Sequence, residues 1–301
     1  MELGMVGLGR MGANMAQRLA QGGHTVGGFD PSPEARARAA THGITPAESL
    51  QALVAALPTP RVVWLMVPAG KIVDDTLDVL LPMLSAGDIV IDGGNSYYKD
   101  SVARAARLDA SGIAFVDCGT SGGVWGLTEG YSMMVGGGDT AMAHLKPLFE
   151  TLAPSPTTGW GHVGPVGSGH FTKMVHNGIE YGMMQAYAEG FAILERKEDF
   201  KLDLHQVAQV WQTGSVVRSW LLDITADALK DNPTMAGIAP YVEDSGEGRW
   251  TVAESIDLNV SAPVITLSLL ERLRSREKDS YADKLLSAMR NGFGGHKITK
   301  E

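Results

Sequence analysis

Cysteine is almost absent from this chain: Cys118 stands alone among 301 residues, so no intrachain disulfide can form and a reducing compartment is its expected home. A lone thiol is expected to be packed rather than catalytic. Positive charge is also scarce. The 25 Lys and Arg face 34 Asp and Glu, a formal charge of −9, whereas a protein that grips nucleic acid needs a positive footprint. No apolar run approaches the ~18 residues of a membrane span, and the start of the chain lacks a basic segment followed by an apolar stretch and a small-residue cleavage site. The expectation is a soluble, cytoplasmic protein with neither membrane nor nucleic acid as partner. A small anionic ligand stays open if the basic residues gather in one pocket.

The length suits two domains of ordinary size. Apolar runs at 2–7, 24–29, 62–67 and 88–92 alternate with helical stretches, the pattern of parallel βαβ units. Further strands are expected at 114–117 and 131–135. After the Pro-, Thr- and Gly-rich segment 153–169 the periods become helical up to residue 290, with no convincing strand. We therefore expect an α/β, doubly wound parallel sheet domain of Rossmann type over 1–164, followed by an all-helical domain over 165–301 for substrate binding and oligomerisation.

The first expected strand turns into a helix through Gly7-Leu8-Gly9-Arg10-Met11-Gly12. Glycines at these spacings give a tight turn, close passage of backbone to a pyrophosphate and close packing of a helix whose N-terminus faces the phosphates. Asp30 ends the next strand about 20 residues on, where a carboxylate accepts from a ribose diol and repels a 2′-phosphate. NAD is the expected cofactor. NADP is the weaker option, since Arg36 or Arg38 would soften the discrimination. Val67 and Pro68, after the third strand, belong to the crevice where such a ligand lies.

The densest chemistry falls at Gly167-Ser168-Gly169-His170-Phe171-Thr172-Lys173-Met174-Val175-His176-Asn177-Gly178-Ile179-Glu180-Tyr181. On a helix, positions three, four and seven apart share a face, so Lys173, His176, Asn177 and Glu180 point one way, with Tyr181 beside them. A lysine able to lose a proton and a carboxyl able to give one suit chemistry next to a carbonyl. The glycines at 164, 167, 169 and 178 weaken a helix by roughly 1 kcal/mol each if interior and make sense where backbone or ligand approaches closely. Two segments, Asp92-Gly93-Gly94-Asn95-Ser96 and Asp117-Cys118-Gly119-Thr120-Ser121-Gly122-Gly123, read as loops at the carboxyl ends of strands, where ligands of a parallel sheet bind.

Together with Arg290-Asn291-Gly292-Phe293-Gly294-Gly295-His296, these segments resemble the 6-phosphogluconate dehydrogenase family in its short form, over essentially the whole chain. The resemblance implies oxidation of the substrate's 3-hydroxyl by hydride transfer to a nicotinamide, loss of CO2 and protonation of an enediol to ribulose 5-phosphate, with no metal. It implies Lys173 as general base and then acid, and Glu180 as the group that protonates the enediol carbon. Asn95, Ser121, Gly122, Gly123, His176 and Asn177 would hold the sugar acid, and Tyr181, Arg272, Arg290 and His296 its phosphate. Gly7, Leu8, Gly9, Arg10, Met11, Gly12, Asp30, Val67, Pro68 and Asn95 would meet the cofactor. The resemblance further implies a homodimer or homotetramer with active sites shared between subunits. A free lysine titrates near 10.4, so a base working near neutrality needs a depression of roughly 2–3 units.

The chain departs from the long form of that family at Ser245-Gly246-Glu247-Gly248-Arg249, where a lysine-rich stretch is replaced and Arg249 alone is basic. Arg272, Arg274 and Arg276 compete for one family position, Arg272 fitting best. A β-hydroxyacid dehydrogenase of the 3-hydroxyisobutyrate type is the alternative enzyme, although a small unphosphorylated acid has no use for Glu180 or the arginine cluster. A non-catalytic NAD-binding sensor is the remote third reading.

Overall fold

A computed structural model describes residues 1–294 and 297–299. The chain divides into two compact units, Met1–Asn177 and Gly178–Glu301.

The first unit is built on eight strands: β1 (Glu2–Val6), β2 (Thr25–Phe29), β3 (Thr45–Pro46), β4 (Val62–Leu65), β5 (Ile89–Asp92), β6 (Ala114–Ser121), β7 (Ser132–Gly136) and β8 (Trp160–Gly164). They lie in the order β3-β2-β1-β4-β5-β6-β7-β8. All neighbouring pairs are parallel except β6 and β7. The helices between them are α1 (Arg10–Gln21), α2 (Pro33–Ala40), α3 (Leu50–Ala56), α4 (Lys71–Leu80), α5 (Tyr98–Asp109), α6 (Gly126–Glu129) and α7 (Asp139–Leu152).

Why the central strands read as unbroken apolar runs is visible in their packing. Successive side chains point to opposite faces, and both faces are covered. Trp64 and Ile91 lie fully buried in one apolar layer with Leu3, Met5 and Val116. Val63, Leu65 and Val90, the residues between, lie in the other with Val6 and Phe115. Helix starts are set by side-chain caps where the sequence offers them: Ser32 Oγ accepts from Ala35 N at 3.1 Å ahead of Pro33, and Ser49 Oγ accepts from Ala52 N at 3.0 Å.

One expectation needs correction. The segment 117–121 is not a loop, because β6 runs on to Ser121 and pairs residue by residue with antiparallel β7 from Asp117↔Gly136 to Ser121↔Ser132. Small residues that read as turn formers are held extended by that ladder. Within the segment 153–169, where the sequence announces no element, β8 pairs with β7 from Met133↔Trp160 onward. Its two glycines and single Val give no apolar alternation, and its extended form comes from joining an existing edge.

Helix α8 (Ser168–Arg196) is 29 residues long and runs through the division between the units. The second unit continues with α9 (Leu204–Gln212), α10 (Trp220–Asp231), α11 (Glu247–Asp257), α12 (Pro263–Arg274) and α13 (Tyr281–Gly294). Its buried apolar cluster is small: Phe191, Ala208, Leu222, Ala226 and Leu229, with Phe191 and Trp211 edge to face, their ring centroids 5.5 Å apart. Among the described residues no helix is long and apolar enough to cross a membrane.

Candidate active site

The glycine turn after β1 has the form a dinucleotide requires. Gly7 sits at φ +93°, and a side chain on Gly12 would put its Cβ 2.0 Å from the Gly7 carbonyl oxygen, so helix and turn meet backbone to backbone. A Cβ on Gly9 meets nothing within 4 Å. No side chain caps α1, which leaves its N-terminal amides available to an anion. These features fit a bound pyrophosphate.

Asp30 follows β2 and is half-buried, with Oδ2 accepting from Leu8 N at 2.8 Å and Oδ1 from Ser32 N at 2.9 Å. The carboxylate is thereby fixed against the glycine turn. Arg36 is occupied elsewhere, donating to the Asp30 carbonyl oxygen at 2.8 Å and pairing with Glu48 at 2.8 Å. Arg38 instead lines a cleft of about 430 Å³ with Leu8, Gly9, Arg10, Asn14 and His42. Val67 and Pro68 follow β4 at the same, carboxyl end of the parallel strands.

Asn95 is exposed in the turn after β5, and Asp92 shapes that turn. The Asp92 carboxylate accepts from Gly94 N at 3.1 Å and from Ser96 Oγ at 2.7 Å. Arg104 on α5, itself buried, lies 3.5 Å from Asp92 and donates to Asp74 at 2.6 and 3.1 Å. Gly122 and Gly123, at φ +126° and +51°, turn the chain out of β6 after Ser121. Cys118 is buried within β6, and burial pushes its thiol up to about 12, so it is inert toward proton chemistry at neutral pH.

Lys173 lies in the second turn of α8 and is buried. Its Nζ donates to Asn177 Oδ1 at 2.5 Å and lies 3.5 Å from His176 Nδ1, and the His176 ring nitrogen is 3.0 Å from the same Asn177 oxygen. The i, i+3, i+4 spacing has brought the three together. The glycines flanking them serve backbone packing. A Cβ on Gly169 would lie 2.5 Å from the Asp117 carbonyl oxygen, and one on Gly178 would lie 2.7 Å from Thr251 Cγ2. Asp92 and Asp117 open the two expected ligand-facing segments, but their structural role is not legible there, although each ends an apolar triplet and the two are register partners in adjacent strands.

In the second unit Tyr181 is buried and its ring carries the Arg272 guanidinium, 3.4 Å from ring centre to Cζ. Arg272 Nη1 donates to the Glu243 carbonyl oxygen at 2.9 Å and its Nη2 to Met184 Sδ at 3.5 Å, so none of its charge is spent on a carboxylate. The Tyr181 hydroxyl accepts from Ser245 N at 3.1 Å, and Ser245 Oγ donates to buried Glu247. Competing arginines are occupied: Arg249 and Arg276 both donate to Asp244, at 2.9 and 3.0 Å and at 2.8 Å, and Arg274 pairs with Asp283 at 2.7 Å. Glu180 is half-buried and Arg290 lies exposed on α13. His296 falls outside the described residues.

The hydrogen bond from Arg249, reinforced by Arg276, holds the Asp244 carboxyl down at about 2. A carboxyl depressed in the folded state contributes stability above its unfolded value near 3.9, and that contribution is lost as pH falls toward the folded value. The melting temperature of the native chain should therefore fall more steeply than that of Asp244→Asn between about pH 4 and pH 2. Parallel slopes in scanning calorimetry would remove Asp244 as the lock on this loop.

Residues 2–161 match the family described as the NAD binding domain of 6-phosphogluconate dehydrogenase, and residues 169–288 match the 6-phosphogluconate dehydrogenase C-terminal domain. The chain belongs to the 6-phosphogluconate dehydrogenase family. It is 45% identical over 302 residues to the NAD(+)-dependent, decarboxylating 6-phosphogluconate dehydrogenase of Haloferax volcanii, covering 100% of this chain and 99% of that one. The solved 6-phosphogluconate dehydrogenase of Plasmodium falciparum superposes with a TM-score of 0.84 at 29% identity, over 100% of this chain and 66% of that one. A 3-hydroxyisobutyrate dehydrogenase of Mycobacterium tuberculosis superposes with a TM-score of 0.72 at 25% identity, over 89% and 90% of the two chains. The β-hydroxyacid alternative is thus the less supported one.

Proposed function

We propose that this member of the 6-phosphogluconate dehydrogenase family converts 6-phosphogluconate to ribulose 5-phosphate and CO2 with NAD as hydride acceptor. The observation that carries the reading is the buried Lys173 on Asn177 and His176 in a chain that matches both family domains, over residues 2–161 and 169–288. In this reading residues 1–164 bind the nucleotide and 165–301 bind substrate and a second subunit.

Lys173, entering as the free amine, takes the proton of the substrate's 3-hydroxyl. The bound nicotinamide supplies the acceptor for the hydride that leaves the same carbon. As an ammonium, Lys173 then donates to the new carbonyl oxygen, which draws electron density from the breaking bond to the carboxylate and serves as the sink that other decarboxylases take from a metal. CO2 leaves, the oxygen takes the lysine's proton, and Glu180 protonates the carbon that lost CO2 while the enediol hydroxyl returns its proton to Lys173. Asn95, Ser121, Gly122, Gly123, His176 and Asn177 hold the sugar acid. Tyr181, Arg272, Arg290 and His296 hold the phosphate, and Arg272 is favoured over its neighbours because it alone of the four arginines considered is stacked on Tyr181 rather than paired with a carboxylate.

The direct test is incubation with NAD and 6-phosphogluconate, following absorbance of the reduced nicotinamide together with CO2. Turnover of 3-hydroxyisobutyrate in place of 6-phosphogluconate would overturn the assignment.

The assembly in this reading is a homo-oligomer whose C-terminal tail reaches a neighbouring site. Its support is the apolar surface left open on the second unit, including Ile193, Val216, Ile256, Val264 and Tyr281, each more than two thirds exposed or nearly so at 72, 99, 71, 67 and 75%. A heterodimer of Lys173→Met and Arg290→Ala chains then contains one site with both defects and one intact site, and activity should reappear. If a verified heterodimer stays inactive, the tail acts within its own subunit.

A further inference from the structure

Strand β6 does more than lead into the Ser121-Gly122-Gly123 turn. Four residues earlier it carries Asp117, fully buried, whose Oδ1 accepts from Gly167 N at 2.7 Å and whose Oδ2 accepts from His170 N at 2.8 Å. These two amides open α8. Two residues further along the strand, Gly119 makes room for the lysine: a Cβ built there would lie 2.3 Å from Lys173 Cβ. From the helix side, Gly169 brings backbone against backbone, since its Cβ would meet the carbonyl oxygens of Asp117 at 2.5 Å and Met134 at 2.6 Å. The first turn of α8 therefore rests directly on the β6–β7 pair. A second tie runs from His170 Nδ1 to Ser101 Oγ on α5 at 2.7 Å, with both residues buried.

A rigid carboxylate that accepts from two amides one turn apart fixes the height of a helix along the strand and also its rotation about its own axis. One acceptor fixes only the first. Strand β6 thus carries a cap for α8, a seat for Lys173 and, two residues after that seat, the start of the Ser121–Gly123 turn.

We propose that Asp117 is a positioning residue for Lys173, setting the lysine amine against the turn that closes the same strand. The proposal rests on the catalytic role given to Lys173 above. Burial pushes the Asp117 carboxyl up, and the nearby His170 and the two amides oppose that. A carboxylate kept in so dry a place is a costly way to cap a helix, since Ser or Thr caps one at less desolvation. What it supplies beyond an ordinary cap is the second acceptor.

The test compares Asp117→Asn, which keeps the size and loses one acceptor, with Asp88→Asn. Asp88 is equally buried and accepts from Arg61 N, Arg61 Nη1 and Ser85 N, but it precedes β5 at the opposite end of the sheet. Both variants should melt earlier. Only Asp117→Asn should lower kcat, by about tenfold or more as expected for a sub-ångström to 1 Å displacement of a reacting group, with KM for NAD within about twofold. With substrate deuterated at C3 the isotope effect on kcat should rise, because a displaced base slows the hydride step. If Asp117→Asn does not fold, Asp117→Ser, which leaves room and a single acceptor, carries the same expectation. The proposal is overturned if kcat per folded molecule stays native, or if Asp88→Asn loses as much. Retained activity in Lys173→Met would instead sink the role of the lysine itself.

Discussion

Lys173→Met is expected to lower kcat by about 10³-fold or more, the upper part of the range for a positioned acid–base group, or roughly 4 kcal/mol of transition-state stabilisation. The loss should appear at the first step. Without an amine, neither the hydroxyl proton nor the electron sink for decarboxylation has a partner, so rapid mixing with NAD should show no burst of reduced cofactor. Methionine matches the length of the buried stem, and the fold should survive, which circular dichroism and the melting temperature check. Glu180→Gln should behave differently. It leaves oxidation and CO2 loss in place and slows protonation of the enediol, so a burst of reduced cofactor should precede slow turnover. Near-native turnover in Lys173→Met, or identical failure of the two variants at the first step, would remove the assigned roles.

Much of this site was open to reading because it is local. Lys173, His176 and Asn177 meet through helical spacing alone, and Gly7, Gly9 and Gly12 announce their turn in six residues. The strands β1, β4 and β5 were equally plain, since burial on both faces leaves apolar runs too short for helices. What stayed hidden depends on partners distant in the chain. Nothing in Gly119-Thr120-Ser121 says strand until β7 is known to lie beside it, and nothing in Trp160-Gly161-His162-Val163-Gly164 says strand until an edge is known to be waiting. The choice among Arg249, Arg272, Arg274 and Arg276 is of the same kind. Their spacing is nearly neutral, and the decision lies with Asp244 and Asp283, which take three of the four. Asp117 is the sharpest case, because its partners lie 50 and 53 residues away.

Cofactor choice should follow from Asp30 with a preference for NAD of about a hundredfold in kcat/KM. A ribose diol donates to the fixed carboxylate, and a hydrogen bond to a charged acceptor contributes about 1.5–3 kcal/mol. A 2′-phosphate in the same place loses that bond and brings like charge to within a few ångströms, at a further cost of about 1 kcal/mol or more near a surface. Together these correspond to roughly two factors of ten. Asp30→Asn is the informative variant, because an amide oxygen still accepts from Leu8 N, which the native carboxylate engages at 2.8 Å, while the charge is gone. The glycine turn should keep its shape, kcat/KM for NAD should fall by less than about tenfold, and that for NADP should rise, narrowing the ratio by at least tenfold. Any residual use of NADP is expected to depend on Arg38, which lines the cleft beside Arg10 and His42, whereas Arg36 is held by Glu48 and the Asp30 carbonyl. Arg38→Ala should therefore depress kcat/KM for NADP and leave that for NAD nearly unchanged. A native preference for NADP, or an Asp30→Asn ratio equal to the native one, would mean that this carboxylate does not face the ribose.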